Sequence, residues 1–277
     1  MINTIPVKVD KNVSGLSWEV SDPQELARLI GVLAVGQAAH AARILEELVP
    51  NAPAVSVAAF NEAACAQLRI KSGLTEDQKK AAVAHRDGFL FECIAWIATR
   101  QSANDRTFLK DPHISATSQG LDGLMIELEP KRQRIKAVTI CEEKCTGTPR
   151  KLFKSQVMPT FTEHHTGSKR SRELLATAVD IIKTNFADAT AATQAAARVI
   201  DLDCRHYRAA LTVSPSTVAT AADRAALFAD YKDLANIKQA QRIGATLVVD
   251  SDLRDWFEKL AKSVIAEIKG GKVKKRV

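Results

Sequence analysis

Residues 120–144 read GLDGLMIELEPKRQRIKAVTICEEK, and the rest of the chain is organised around them. Apolar residues take every second place at Leu124, Ile126 and Leu128, and again at Val138 and Ile140. That is the period of a half-buried strand. The pattern predicts two strands, 121–129 and 135–142, joined by the basic turn Pro130-Lys131-Arg132-Gln133-Arg134. With the turn centred near Arg132, Leu124 lies opposite Ile140 and Ile126 opposite Val138. The same register sets Asp122 opposite Glu142. Lys144 shares the parity of Glu142 and points to the same face, and Glu143 points to the other.

Two facing carboxylates repel unless a cation or proton intervenes. A hard dication such as Mg²⁺, with Mn²⁺ as the alternative, takes oxygen ligands and keeps water and phosphate oxygens in its shell. A lysine two residues on can hold or deprotonate an attacking water, or stabilise charge growing on a phosphate. An isolated Glu-x-Lys is common by chance. Here the facing Asp122, the matched apolar pairs and the basic surroundings give it weight.

The charge distribution points the same way. The chain has 277 residues and a net charge of +7. Between Pro130 and Arg172 there are eleven Lys and Arg against three Glu, and the tail from Lys269 to Val277 adds five basic residues. Charge focused in this way is the footprint expected of phosphate-backbone binding, although a solvated basic surface would look the same. Lys131, Arg132, Arg134, Arg150, Lys151 and Lys154 are the candidate phosphate contacts. No apolar run is long enough to span a bilayer, and the segment MINTIPVKVDKNVSG lacks the pattern of a secretory leader. Cys65, Cys93, Cys141, Cys145 and Cys204 are odd in number and scattered, as expected of free thiols in a reducing cytoplasm.

Outward from the hairpin, the chain reads mostly as helix. Residues 1–21 read as an extended lead-in. Asp22, Pro23 and Glu25 mark a helix start, and the Ala-rich pattern runs to about Leu48. A second helix is expected over 54–70. Thr75, Glu76 and Asp77 open another, running to about Arg100, with Phe89, Cys93, Trp96 and Ile97 on its buried face. A polar, irregular stretch follows, with a short strand near 113–117. After the hairpin comes a loop containing Gly147, Pro149, Pro159 and Gly167. Then come helices over 171–185 and 188–199, a strand over 206–213, a helix over 221–240, a strand over 245–249, and a helix capped by Ser251.

Asp122 on one strand, followed by Glu142-Glu143-Lys144 on the next, resembles the PD-(D/E)xK nuclease superfamily. The likeness covers roughly 75–215. It implies an α/β fold with a restriction-endonuclease-like core, a mixed sheet flanked by helices, and additional N- and C-terminal helices. It divides the chain into an N-terminal helical region at 1–74, a nuclease core at 75–215, and a C-terminal α/β extension with a basic tail at 216–277. Asp122 and Glu142 would hold Mg²⁺, and Lys144 would act on the attacking water or the growing charge. Glu92, in Gly88-Phe89-Leu90-Phe91-Glu92, would be the further catalytic acid that the first core helix often supplies. Leu121 stands where the superfamily's name has proline.

More narrowly, the Phe-rich helix around Glu92, Gly120-Leu121-Asp122-Gly123 and Glu142-x-Lys144 with its Thr/Lys-containing loop resemble the nuclease subunit of the Hachiman anti-phage system. That resemblance implies a cytoplasmic DNA nuclease, the effector of a defence complex, restrained by an ATP-dependent helicase subunit. The chain has no Gly-Lys-Ser/Thr phosphate loop, so any ATP-driven step falls to another chain. The rival expectation is a non-catalytic adaptor that binds nucleic acid or protein on the same fold. Cys141, Cys145, His164 and His165 lack a standard zinc spacing, and the two histidines read as solvated loop residues.

Overall fold

The structure, a computed structural model, describes residues 1–48, 56–113, 121–130, 134–167, 170–183, 186 and 188–270, with side chains in the first helix described as far as Ala38. The protein is α/β. Seven strands form one mixed sheet, β1 (Ile2–Lys8), β2 (Ser14–Val20), β3 (Thr107–Leu109), β4 (Gly123–Leu128), β5 (Ile135–Lys144), β6 (Arg205–Val213) and β7 (Arg242–Val248). Their order across the sheet is β1-β2-β7-β6-β5-β4-β3. The strands β2, β7, β6 and β5 run parallel to one another, and the antiparallel pairs β1–β2 and β3–β4–β5 close the two sides. β6 is buried on both faces, as a central parallel strand must be.

One face of the sheet is covered by α1 (Pro23–Leu48), α2 (Val57–Leu68), α3 (Glu76–Ser102) and α9 (Leu253–Lys269). Thr75 and Gln78 cap α3 reciprocally, each accepting the other's backbone N–H, and Glu76 and Asp77 complement its dipole. Phe89, Leu90, Phe91, Cys93 and Ile94 are all buried, because α3 lies between the sheet and the α1 and α9 helices.

The other face is covered by α4 (Pro149–Leu152), α5 (Met158–Thr166), α6 (Ser171–Ile182), α7 (Ala189–Ala196) and α8 (Ala221–Leu227). A π turn over Phe153–Val157 joins α4 to α5. The stretch expected as a loop is thus a continuous helical rod. Pro149 starts it at a first-turn position. Pro159 has no N–H to give the preceding turn, and the π turn just before it relaxes the ladder. Phe153 and Phe161 anchor the rod in an aromatic cluster with Tyr207, Phe228 and Tyr231, with ring centroids 5.1–6.0 Å apart. Each such pair contributes about 0.5–1.5 kcal/mol beyond burial.

Several expectations need correction. Residues 1–20, and so the start of the expected helical region 1–74, form a hairpin. Asp10 turns it by accepting the N–H groups of Asn12 and Val13. β2 then pairs with β7, so residues 1–74, 75–215 and 216–277 all contribute strands to one sheet. The short third strand lies at Thr107–Leu109, inside the stretch read as irregular. Residues 114–117, where it was expected, lie outside the described residues. The helix expected over 221–240 ends at Leu227. A 3₁₀ turn there sends Phe228 and Tyr231 into the aromatic cluster, and Asn236 takes φ 60°, a left-handed conformation Asn tolerates. Asp252, not Ser251, caps α9, accepting from Arg254 and Asp255. No helix among the described residues is long and apolar enough to cross a membrane.

Candidate active site

The register of the central hairpin is the expected one, with Leu124 opposite Ile140 and Ile126 opposite Val138. These residues fill the core beneath α5 and α6. Gly123 stands opposite Cys141, so Asp122, the residue before β4, stands opposite Glu142. Lys144 Nζ lies 2.5 Å from Asp122 Oδ2 and 2.9 Å from Glu142 Oε2. The Glu143 backbone N–H donates to the same Asp122 oxygen at 3.2 Å.

The electrostatics follow from burial. Glu142 is only 4% exposed, and burial raises its pKa. The Asp122 charge raises it further, and Lys144 pulls it only part of the way back. Burial alone would lower the pKa of Lys144, but the Glu142 and Asp122 carboxylates outweigh it and the pKa stands above its ordinary value. The lysine is therefore a firm cation held between two acids.

A cleft of about 340 Å³ opens between α3 and the α4–α5 rod. Asp122, Glu143 and Lys144 lie on its floor. His85, Gly88, Phe89 and Glu92 come from α3, and Leu152 and Gln156 from the rod. Glu92 therefore joins the predicted acids. Its Oε1 is engaged twice by His113, accepting the backbone N–H at 2.8 Å and lying 2.9 Å from Nδ1. Lys110 Nζ sits 3.2 Å from His113 Nε2 and donates to the Leu121 carbonyl at 2.8 Å. Glu92 is thus tied through His113 and Lys110 to the residue before Asp122. His113, Glu143 and Gln156 were not anticipated. His113 and Gln156 come from segments without a local pattern. Strand parity turns Glu143 to the face opposite Glu142 and Lys144, so the alternation that marks those two residues does not mark it.

The predicted phosphate contacts are not gathered in one place. Lys131 and Arg132 lie outside the described residues. Arg134 is exposed at the turn end of β5. Eight residue steps along the strand take it about 26 Å from Glu142 at the usual rise. Arg150 is committed internally, with Nη2 2.9 Å from Asp230 and Nη1 donating to the Leu227 carbonyl. Lys151 and Lys154 are exposed on the rod that carries Leu152 and Gln156 to the cleft.

His164 and His165 are not solvated loop residues. His164 is buried on α5. Its pKa is pushed down to about 4 by burial, then by the charges of Arg170 and Arg205. His165 lies between the Tyr207 hydroxyl at 3.1 Å and the Ala235 carbonyl at 2.9 Å. Elsewhere Asp201, Asp203 and Cys204 bring their ligand atoms within 4.8 Å of one another. Arg198 already pairs with both acids.

No protein-family model, curated protein or solved structure matches the chain.

Proposed function

We propose that the protein is a Mg²⁺-dependent deoxyribonuclease built on a restriction-endonuclease-like core. The observation that carries this reading is Lys144 bridging Asp122, on the floor of an open cleft, and the buried Glu142 beside it. The element order supports it: helix α3, the antiparallel strands β3, β4 and β5, helix α6, then β6 parallel to β5.

The donor set fits a hard dication. Asp122 and Glu142 offer carboxylate oxygens only, and one of them is buried beside a like charge that a cation would relieve. The metal would polarise the phosphate and lower the pKa of a bound water. Asp122 and Glu142 would hold it. Lys144 would stabilise charge growing on the phosphoryl oxygens, since its ammonium is already fixed at that point. Glu92, steadied by His113, would add negative potential on the α3 side. Lys151 and Lys154 would meet the DNA backbone beside the cleft. The likeness to the Hachiman nuclease subunit supports a role as effector of an anti-phage complex restrained by a helicase partner.

The test is cleavage of plasmid and single-stranded DNA with Mg²⁺, Mn²⁺ or EDTA, comparing wild type with Glu142→Ala and Lys144→Ala. Metal-dependent cutting lost in both variants is the expected result. A wild type that stays inert, alone and with the neighbouring gene's product and ATP, would replace this reading with the adaptor.

A further inference from the structure

Directly behind the carboxylate pair, on the α3 face of β5, lies a second, buried ion pair whose acid edges the cleft floor. Arg208 Nη2 is 2.9 Å from Glu143 Oε1, and both side chains are more than nine-tenths buried. β6 sets Arg208 beside Cys141, and the side chain reaches along the strand to Glu143. Its guanidinium also donates to Thr99 Oγ1 on α3 and stacks 5.6 Å from the Trp18 ring of β2. Thr99 is held in turn, donating to the Ala95 carbonyl at 2.6 Å. One guanidinium thus ties α3, β2, β5 and β6 together behind the site.

The pair is an expensive way to fill a core. Burying two charges costs more than their attraction returns unless the geometry is good and the remaining valences are met. Here they are not all met. Glu143 Oε2 and Arg208 Nε are buried with no hydrogen-bond partner among the described residues. Packing alone does not explain why these residues stand there. Their place in the strand does. The Glu143 backbone N–H donates to Asp122 Oδ2, and its neighbours on either side are Glu142 and Lys144. Clamping the Glu143 side chain fixes the pleat at that point. The pleat in turn sets the orientation of Asp122 and the facing of Glu142 and Lys144.

We infer that Glu143 and Arg208 are positioning residues, an internal ion pair that holds Asp122, Glu142 and Lys144 in cation-binding geometry from the opposite face of the sheet. This rests on the nuclease reading, because it assigns the pair to the metal-binding step of that site. Glu143 also edges the cleft floor, but the role assigned to it is positioning. The pair acts through the backbone of one and the anchoring of the other.

The experiment uses the full chain and four variants, Glu143→Gln, Arg208→Gln, the double Glu143→Gln/Arg208→Gln, and Thr99→Val. The readout is the Mg²⁺ concentration giving half of the metal-linked gain in melting temperature, which needs no turnover. Cleavage is followed alongside, with the Mg²⁺ and DNA dependences measured separately. Each single variant of the pair is expected to raise the half-saturating Mg²⁺ at least about tenfold, with KM for DNA unchanged. The double variant, a neutral hydrogen-bonded pair, is expected to recover most of the loss because no charge is stranded.

A merely structural role would lower every melting temperature and leave half-saturation where it was. That result overturns the inference. If the single variants of the pair do not fold, Thr99→Val carries the test. It removes only the α3 anchor, and an unchanged Mg²⁺ requirement there is equally fatal. A wild type with no Mg²⁺-linked gain would sink the metal reading and this inference with it. A responsive wild type with indifferent variants would sink this inference alone.

Discussion

Arg254, on the last helix, reaches the carboxylate of Asp87 on α3, with Nη1 2.6 Å from Oδ2, although the Asp87 side chain is fully buried. The other oxygen of Asp87 is held by Arg86 at 2.8 Å. Two helices far apart in sequence, α3 and α9, are locked by one acid shared between two guanidinium groups, within the stretch of α3 whose other residues line the cleft.

That sharing orders the stability of two variants. Asp87→Ala strands the buried Arg86 and should cost about 3–5 kcal/mol. Arg254→Ala leaves Asp87 its second partner, and Arg254 is itself partly exposed, so the cost should be about 1–2 kcal/mol. Urea denaturation measures both. Equal costs would mean that Arg86 gives Asp87 no compensation.

Glu142 should show a trade of stability against function. Its ionised form is disfavoured in the folded chain by burial and by Asp122. Glu142→Gln removes a repelled charge and should raise stability without divalent metal by about 1 kcal/mol. The same change should abolish Mg²⁺-linked stabilisation and cleavage. A variant that is less stable than wild type in EDTA would show that Lys144 fully compensates the buried charge.

Acid sensitivity should trace in part to His164. In the unfolded chain its imidazole takes a proton below about 6.5. In the folded protein it does so only near 4, because burial and then Arg170 and Arg205 oppose the charge. Between those values the unfolded state binds more protons, so stability is full above the upper one and is lost as pH falls toward the lower. The loss should reach about 3 kcal/mol. His164→Gln should remove that part of the slope. Parallel wild-type and variant curves from pH 7 to pH 4 would discard the assignment.

Lys151 and Lys154 should govern backbone affinity. Replacing both with Gln should flatten the plot of log Kd against log salt by nearly 2 for duplex DNA, about one phosphate contact each. Arg150→Ala should instead lower stability, through loss of the Asp230 pair. Fluorescence anisotropy across a salt series, with a melting curve for each variant, separates the two. An unchanged slope in the double variant would move the DNA path away from the rod.

Local patterns were enough for the hairpin. Alternation around a short turn leaves one register that keeps Leu124, Ile126, Val138 and Ile140 on a single face, and that register carries Asp122, Glu142 and Lys144 together. The start of α3 was legible for the same reason, since Thr75 and Gln78 cap each other within one turn. The placement of β1 and β2 was not legible. Ser14 pairs with Ile243, more than two hundred residues away, and no local period records which strand a segment will meet. Nor was the helical character of 149–166, where two prolines read as punctuation until the aromatic cluster drew Phe153 and Phe161 inward.

The site divides in the same way. Sequence by itself determined which side chains share the face of the hairpin that ends in two acids and a lysine, because a strand's parity is a property of its own backbone. Tertiary structure alone decided what lies on the reverse of that strand. Only the packing of α3, β2 and β6 could put Arg208 against Glu143 and Glu92 against His113, because burial and charge compensation depend on neighbours that the local chain does not contain.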